Sequence, residues 1–406
     1  MALTDTDWIV VDRGGSPKKC AAKDIQTNTK AGDYLCINRG GNTRKLDVAN
    51  VDSLADSDWV LVGKGTTAYK ATGAEVKGFF GGSPGWTDVA INAVDSLIDE
   101  GIERISGGNN ILCGTNPLPE SGCLIYSTDH GTTWRRHATA GSQHNDGWED
   151  TFFADGVFMA CKTQMGRPQG EIIWSTNANN WNYPTVSLPI NGSWTGITYS
   201  PDFSGRWLCI GTAGTSGRVC VYSDDNGLSW TQGGTPSGNP LWDKCAYGNG
   251  RFATVGPSTS SGVDNFLYSF DGGVSWRTGN NPNKSHYWTD VKFGNGVFVA
   301  IGYQLSGVGI GVYSTDAANW TRITNWAGVA DPDGRTRGVG FGKGKFCVVG
   351  ECCTYTSEDG VNWEKSASGS VPNTQEWYCV AYSGKRFVAG SIDSGQPQAM
   401  WSENGL

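Results

Sequence analysis

Short apolar runs recur from residue 86 to the C-terminus, most of them closed by glycine: Phe298-Val-Ala-Ile-Gly302 and Phe346-Cys-Val-Val-Gly350 are two of them. They are too short for helices. Asn-Gly, Gly-Lys and Asp-Gly pairs precede them, so they read as strands entered through tight hairpin turns. Within a run the residues do not alternate between polar and apolar, which predicts sheets buried on both faces. Each run is the second half of a longer pattern that opens on tryptophan, as in WTDVKFGNGVFVAIG from Trp288. The pattern returns from Trp148, Trp194, Trp242, Arg337 and Trp377, and more loosely from Trp86 to Gly114 with an insertion around 95–104. Seven strand pairs are therefore predicted.

A second pattern follows each pair. Tyr126-Ser127-Thr-Asp129-His-Gly131-Thr-Thr-Trp134 returns around Ser223, Asp225 and Trp230, and again around Ser269, Asp271 and Trp276. A variant runs through Thr356, Glu358 and Trp363. Shorter copies run from Ser175 to Trp181 and from Ser314 to Trp320, and a truncated one begins at Ser402. Serine and aspartate bond turn backbone, glycine takes positive φ, and the tryptophan packs the turn onto its sheet. This pattern resembles the Asp box, or BNR repeat, of sialidase-like propellers. A repeat of 42 to 48 residues, stepping through Ser127, Ser175, Ser223, Ser269, Ser314, Thr356 and Ser402, suits one four-stranded blade. The expected fold is all-β: a seven-bladed β-propeller over 78–406, preceded by a small repeat module of β-hairpins over 1–77. The last unit lacks an outer strand, and the segment 76–80 is expected to complete it and remove an open edge.

The first 77 residues carry a different repeat. Asp7-Trp-Ile-Val-Val-Asp-Arg13-Gly14 with Lys19 matches Asp33 to Gly40 with Lys45, and Asp58 to Gly65 with Lys70. No copy alone buries much surface, so the copies are expected to pack on one another or on other chains. These repeats resemble short D-x-L-x-V-x-R-G-x-x-x-x-K repeats of marine bacteriophage virion proteins, cyanophages especially. In tail fibres or appendages such segments act as attachment or spacer modules.

Charge and composition narrow the function. Net charge is −8 with no basic face, which argues against nucleic acid. No apolar run approaches a membrane span, and the start Met-Ala-Leu-Thr-Asp-Thr-Asp lacks the pattern of a secretory signal. Most of the 12 cysteines sit inside apolar runs and read as reduced core residues; Cys352-Cys353 and Cys113/Cys123 are the places where a disulfide would be sought. The four histidines are scattered, and no zinc pattern, metal site or cofactor site is expected.

The sialidase resemblance would require an arginine triad, a Tyr-Glu nucleophile pair and an acid. The Arg-Ile-Pro motif ahead of the first box is absent, and Arg135 and Arg136 fall on an outer strand. No catalytic residue is assigned. Binding is expected on the face opposite the boxes, where loops rich in Asn, Ser, Gly and Thr carry His144, His286, Tyr287 and Trp326. Neutral hydrogen-bonding groups beside aromatic faces suit sugars. Acidic residues just inside the tryptophan strands, Asp88, Glu149, Asp150, Asp243 and Asp290, are placed near the channel mouth; Asp150 and Asp290 join the candidate ligand set.

The expectation is a virion structural protein, made in the host cytoplasm and homo-oligomeric. It would contact other virion proteins through 1–77 and display a propeller to host surface polysaccharide. The alternatives are a glycoside hydrolase acting on the same polysaccharide and a non-viral scaffold like the photosystem II assembly factor.

Overall fold

The chain divides into two compact units, Met1–Gly85 and Trp86–Leu406. The structure, a computed structural model, describes the backbone of strands between Asp7 and Thr72 and of the short strands Thr87–Val89 and Asn92–Ala93. It describes Trp86 and most of 101–405 with side chains, apart from 116–122, 138–146, 164–170, 237–241, 258–265, 283–285, 367–375, 393–398 and a few shorter gaps.

In the first unit each repeat forms a hairpin: Asp7–Arg13 with Ser16–Ala21, Asp33–Arg39 with Asn42–Asp47, and Trp59–Lys64 with Thr67–Thr72. The three leading strands also pair with one another, end to start. Val11–Arg13 meets Asp33–Leu35, Ile37–Asn38 meets Trp59–Val60, and Val62–Lys64 returns to Asp7–Ile9. The copies thus pack on one another within a single chain.

The second unit is a seven-bladed propeller. The inner strands of its blades are Arg104–Gly108, Trp148–Ala154, Ser193–Ser200, Lys244–Gly248, His286–Gly294, Thr336–Gly342 and Trp377–Tyr382, and the last packs against the first. Each blade continues outward through antiparallel neighbours, and the first and sixth add a short parallel strand at the rim. The first inner strand begins only where the expected insertion ends. The Trp86 segment belongs instead to the seventh blade: Thr87–Val89 pairs with Ala399–Trp401 as its outermost strand. An upstream segment therefore closes the ring, but it is Thr87–Val89; residues 76–80 lie outside the described residues. The physical reason is pairing partners: the hairpin that Trp86 was expected to begin has Arg104–Gly108 as its inner strand, paired with Ile111–Thr115.

Two details explain the sequence pattern. Inner strands carry a β-bulge just after the tryptophan position, at Trp148/Asp150, Trp194/Gly196, Trp288/Asp290, Thr336/Gly338 and Trp377/Cys379. The bulge brings a carbonyl onto the neighbouring strand, so a Cβ at Gly302 would sit 2.0 Å from Tyr287 O, and one at Gly350 the same distance from Arg335 O. At Gly211, Gly302 and Gly350 the closing glycine is thus a steric demand, whereas the second and seventh blades place Lys162 and Ser391 opposite the tryptophan. At the opposite end, six blades pair aromatics across the first hairpin, from Phe153–Phe158 at 4.6 Å to Tyr382–Phe387 at 5.2 Å. The first blade has Gly107 opposite Leu112 instead.

Turns on that face tie blade to blade. Asn295, at φ 47°, gives both amide hydrogens away: to Gly344 O in the next hairpin turn and to Glu358 O in the next box, each at 2.8 Å. Asn249 does the same toward Gly296 O and Thr315 O. Between the seventh and first blades, Arg386 performs this role, donating to His130 O and to Thr132 Oγ1.

Candidate functional site

The boxes are structural. Ser127 Oγ donates to Asp129 Oδ1 at 2.8 Å and accepts from the Gly131 amide; Asp129 in turn accepts from the amide and hydroxyl of Thr133. Trp134 is fully buried, and its indole donates to Gly131 O. Ser223 with Asp225, and Ser269 with Asp271, repeat the serine and aspartate bonds but not the indole one, with Trp230 buried and Trp276 partly so. The variant box needs a one-residue correction. Ser357 and Asp359 fill the serine and aspartate places, while Glu358 turns outward toward Lys345. This box is therefore of the short kind, like those at Ser175 and Ser314. In the short kind one residue takes positive φ (Ala178, Ala317 or Gly360), where the long kind uses two.

Burial alone would raise the pKa of the box carboxylates. The hydrogen bonds they accept outweigh it, so Asp129, Asp225, Asp271 and Asp316 are held below the usual range and Asp359 falls to about 2. A folded pKa below the unfolded value of about 3.9 adds stability above that pH and loses it as pH falls toward the folded value. Glu149, raised by burial, offsets one of these. The melting temperature is accordingly expected to fall steeply between about pH 4 and 2. Asp359→Asn should lower the melting temperature near neutral pH and flatten that slope; an unchanged slope would contradict the assignment.

The acidic residues of the inner strands are wall fasteners. Asp150 accepts from its neighbour Thr151 and, across the blade boundary, from the Ile197 amide at 3.1 Å. Asp290 accepts from Val291 and from the Val339 amide of the next blade at 3.0 Å. Lys244, 3 % exposed, donates back to Thr195 O of the preceding blade at 2.7 Å. Burial works against its charged form, as does Arg104, but Asp243, Asp150 and Glu149 prevail and its pKa is raised. Burial likewise opposes the charge on Arg104, and Glu103, Asp290, Asp150 and Asp243 overcome it. The channel wall thus holds two buried cations among five carboxylates. No group of three potential metal ligands occurs among the described residues. Asp88 lies on the closing strand.

Trp326 moves furthest from its expected place. It is fully buried on the outer rim of the sixth blade, where Asn325–Trp326 runs parallel to Asn362–Trp363. Its ring stacks on Trp363 at 4.7 Å, which leaves no face for a ligand. The strand tryptophans 148, 194, 242, 288 and 377 are at most 1 % exposed. His144 lies outside the described residues.

His286 and Tyr287 do sit at the blade ends opposite the boxes, and the structure gives them neighbours. Tyr287 stacks on Tyr303 with ring centroids 5.3 Å apart. Arg335 and Arg337 lie over the Tyr303 ring, at 5.3 and 4.8 Å from its centre, and Arg337 also covers Tyr378 at 5.1 Å. Glu376 accepts from Arg337 Nη2 and from the Tyr378 hydroxyl, both at 2.8 Å, and Glu351 pairs with Arg335 at 3.0 Å. Burial would raise the Glu376 pKa, but the Tyr378 hydrogen bond and Arg337 lower it. The result is a half-buried platform of aromatic faces framed by oriented guanidinium and carboxylate groups, spanning blades five to seven. The arginines flank Thr336, which takes the place that tryptophan holds in other blades; that break in the repeat was their signal.

Among the described residues no helix is long and apolar enough to cross a membrane. The described cysteines, Cys113 and Cys123 included, are buried thiols outside any disulfide. Burial pushes Cys113, Cys220 and Cys379 up to about 12, so they are inert core groups. Cys352 and Cys353 lie outside the described residues.

Fold and turns together define a seven-bladed β-propeller with Asp-box repeats. The family model for the BNR/Asp-box repeat matches residues 125–136, the first box. No curated protein matches the chain. Among solved structures, YCF48 bound to D1 peptide aligns at 13 % identity and TM-score 0.54, over 79 % of this chain and 96 % of that one. A catalytically inactive virginiamycin B lyase from Staphylococcus aureus with quinupristin aligns at 11 % identity and TM-score 0.56, over 78 % and 98 %. At such identities the likeness is one of fold.

Proposed function

We propose that the protein is a binding propeller of a bacteriophage virion, holding a host-surface glycan without cleaving it. The platform on blades five to seven is the observation behind this reading. Tyr287, backed on one side by Tyr303, offers its other face to the C–H side of a sugar ring, and fixed Arg–Glu pairs offer donors and acceptors to its hydroxyls. The wall carboxylates Asp150 and Asp290 have both oxygens engaged by backbone amides, which favours binding over acid–base work. The virion setting rests on the likeness of the three N-terminal repeats to phage appendage modules. In this reading residues 1–77 join other virion proteins, and the assembled form is oligomeric.

A glycan array with the whole chain tests the binding role. Binding to a subset of surface polysaccharides is expected, with at least tenfold weakening by Tyr303→Ala at unchanged fold. No binding, or undiminished binding by that variant, would overturn it; release of reducing ends would make the protein a hydrolase. Mass spectrometry of purified virions tests the setting, and the protein's absence there would remove the phage assignment.

A further inference from the structure

We propose that the box-side end of the central channel is a second binding site, for a small organic anion with a single apolar ring. It is separate from the aromatic platform and does not depend on the glycan reading.

The channel changes character along its length. Toward the face opposite the boxes it is the charge network of Arg104, Lys244 and the wall carboxylates. Toward the box face it widens into a cavity of about 190 Å³ lined by Ile105, Phe152, Phe341, Val380, Tyr382 and Lys292, among others. Cavities of about 150 Å³ with apolar linings admit benzene. The space has a cause in the sequence. Six blades carry aromatic pairs at this level, but the first blade carries Gly107, which adds no side chain to the lining. Gly340 and Ala381 are small at the same level.

Lys292 is the one charged side chain among the lining residues. It reaches from the fifth blade across the channel to the second, with its ammonium 5.5 Å from the centre of the Phe152 ring. The carboxylates nearest in sequence and wall position are occupied: Asp290 and Asp150 each bind two backbone amides, and the Glu149 carboxylate accepts from Thr163. The described residues place no carboxylate within 4 Å of the Lys292 ammonium, so a π-face is its partner. An ammonium in a largely apolar throat that faces a ring and makes no close ion pair favours an anion, and the aromatic lining favours a ring attached to it. A monocarboxylate entering ring-last from the box face would satisfy both.

The test uses fluorine NMR of the whole chain with 4-fluorobenzoate and its neutral analogue 4-fluorobenzyl alcohol. The expected result is millimolar binding of the benzoate, at least fivefold tighter than the alcohol. Lys292→Met should weaken the benzoate at least fivefold and leave the alcohol unchanged. Failure of the benzoate to bind, or equal affinity for both probes, overturns the proposal on the unaltered protein, whether or not the variant folds. Undiminished benzoate binding by a folded Lys292→Met protein overturns it as well. Glycan binding is untouched in every case, which keeps this test distinct from that of the platform.

Discussion

Replacing Trp326 with alanine is expected to lower the unfolding free energy by about 3–5 kcal/mol, the usual cost of removing a buried tryptophan. The ring is fully buried, stacks on Trp363 and meets Tyr355 edge-on at 5.2 Å. It also fits against Gly311, where a Cβ would come within 2.6 Å of the indole. Neighbours this close-packed cannot collapse into the space, so a cavity remains. The indole nitrogen has no hydrogen-bond partner among the described residues, which makes Trp326→Phe the milder change. Denaturant titration at constant m-value measures both. A residue kept for ligand contact would cost little stability, so a change below about 1 kcal/mol would return Trp326 to the binding surface.

The second large effect concerns the ring closure. A chain beginning at residue 84 keeps Trp86 and Thr87–Val89, and its propeller is expected to unfold like that of the full chain. A chain beginning at residue 91 loses the outer strand of the seventh blade. It also loses the Trp86 side chain, which is 5 % exposed and donates to Thr354 Oγ1 of the sixth blade at 2.8 Å. The tryptophan alone accounts for about 3–5 kcal/mol, and an exposed strand edge invites aggregation. Comparing the two chains by thermal melting and light scattering decides between closing segments. If residues 76–80 closed the ring, the chain starting at 84 would already be compromised.

What the sequence made legible was whatever repeats. Tryptophan-led hairpins and recurring boxes announce blades, because each must solve the same packing problem with the same residues. The errors fall where the repeat is imperfect. Trp86 resembles an inner-strand tryptophan, and only the pairing of Thr87–Val89 with Ala399–Trp401 reveals its segment as outer. In the variant box, Thr356 and Glu358 mimic the serine and aspartate one position early; the hydrogen bonds select Ser357 and Asp359. Trp326 sits in a polar connection that reads as a loop, yet that connection adds a parallel strand to the rim. The Arg337 platform was hidden for the opposite reason. Its members come from three blades and five strand ends, and nothing local in the sequence brings them together.

The antiparallel closure has a mechanical consequence. Thr87 lies opposite Trp401 and Val89 opposite Ala399, so the chain enters and leaves the seventh blade at the same end of one strand pair. Tension between residues 86 and 403 therefore peels that pair open from one end, loading its hydrogen bonds one after another rather than all at once. The ring resists heat through Trp86 and its neighbours, but a pull on its two ends meets a zip fastener.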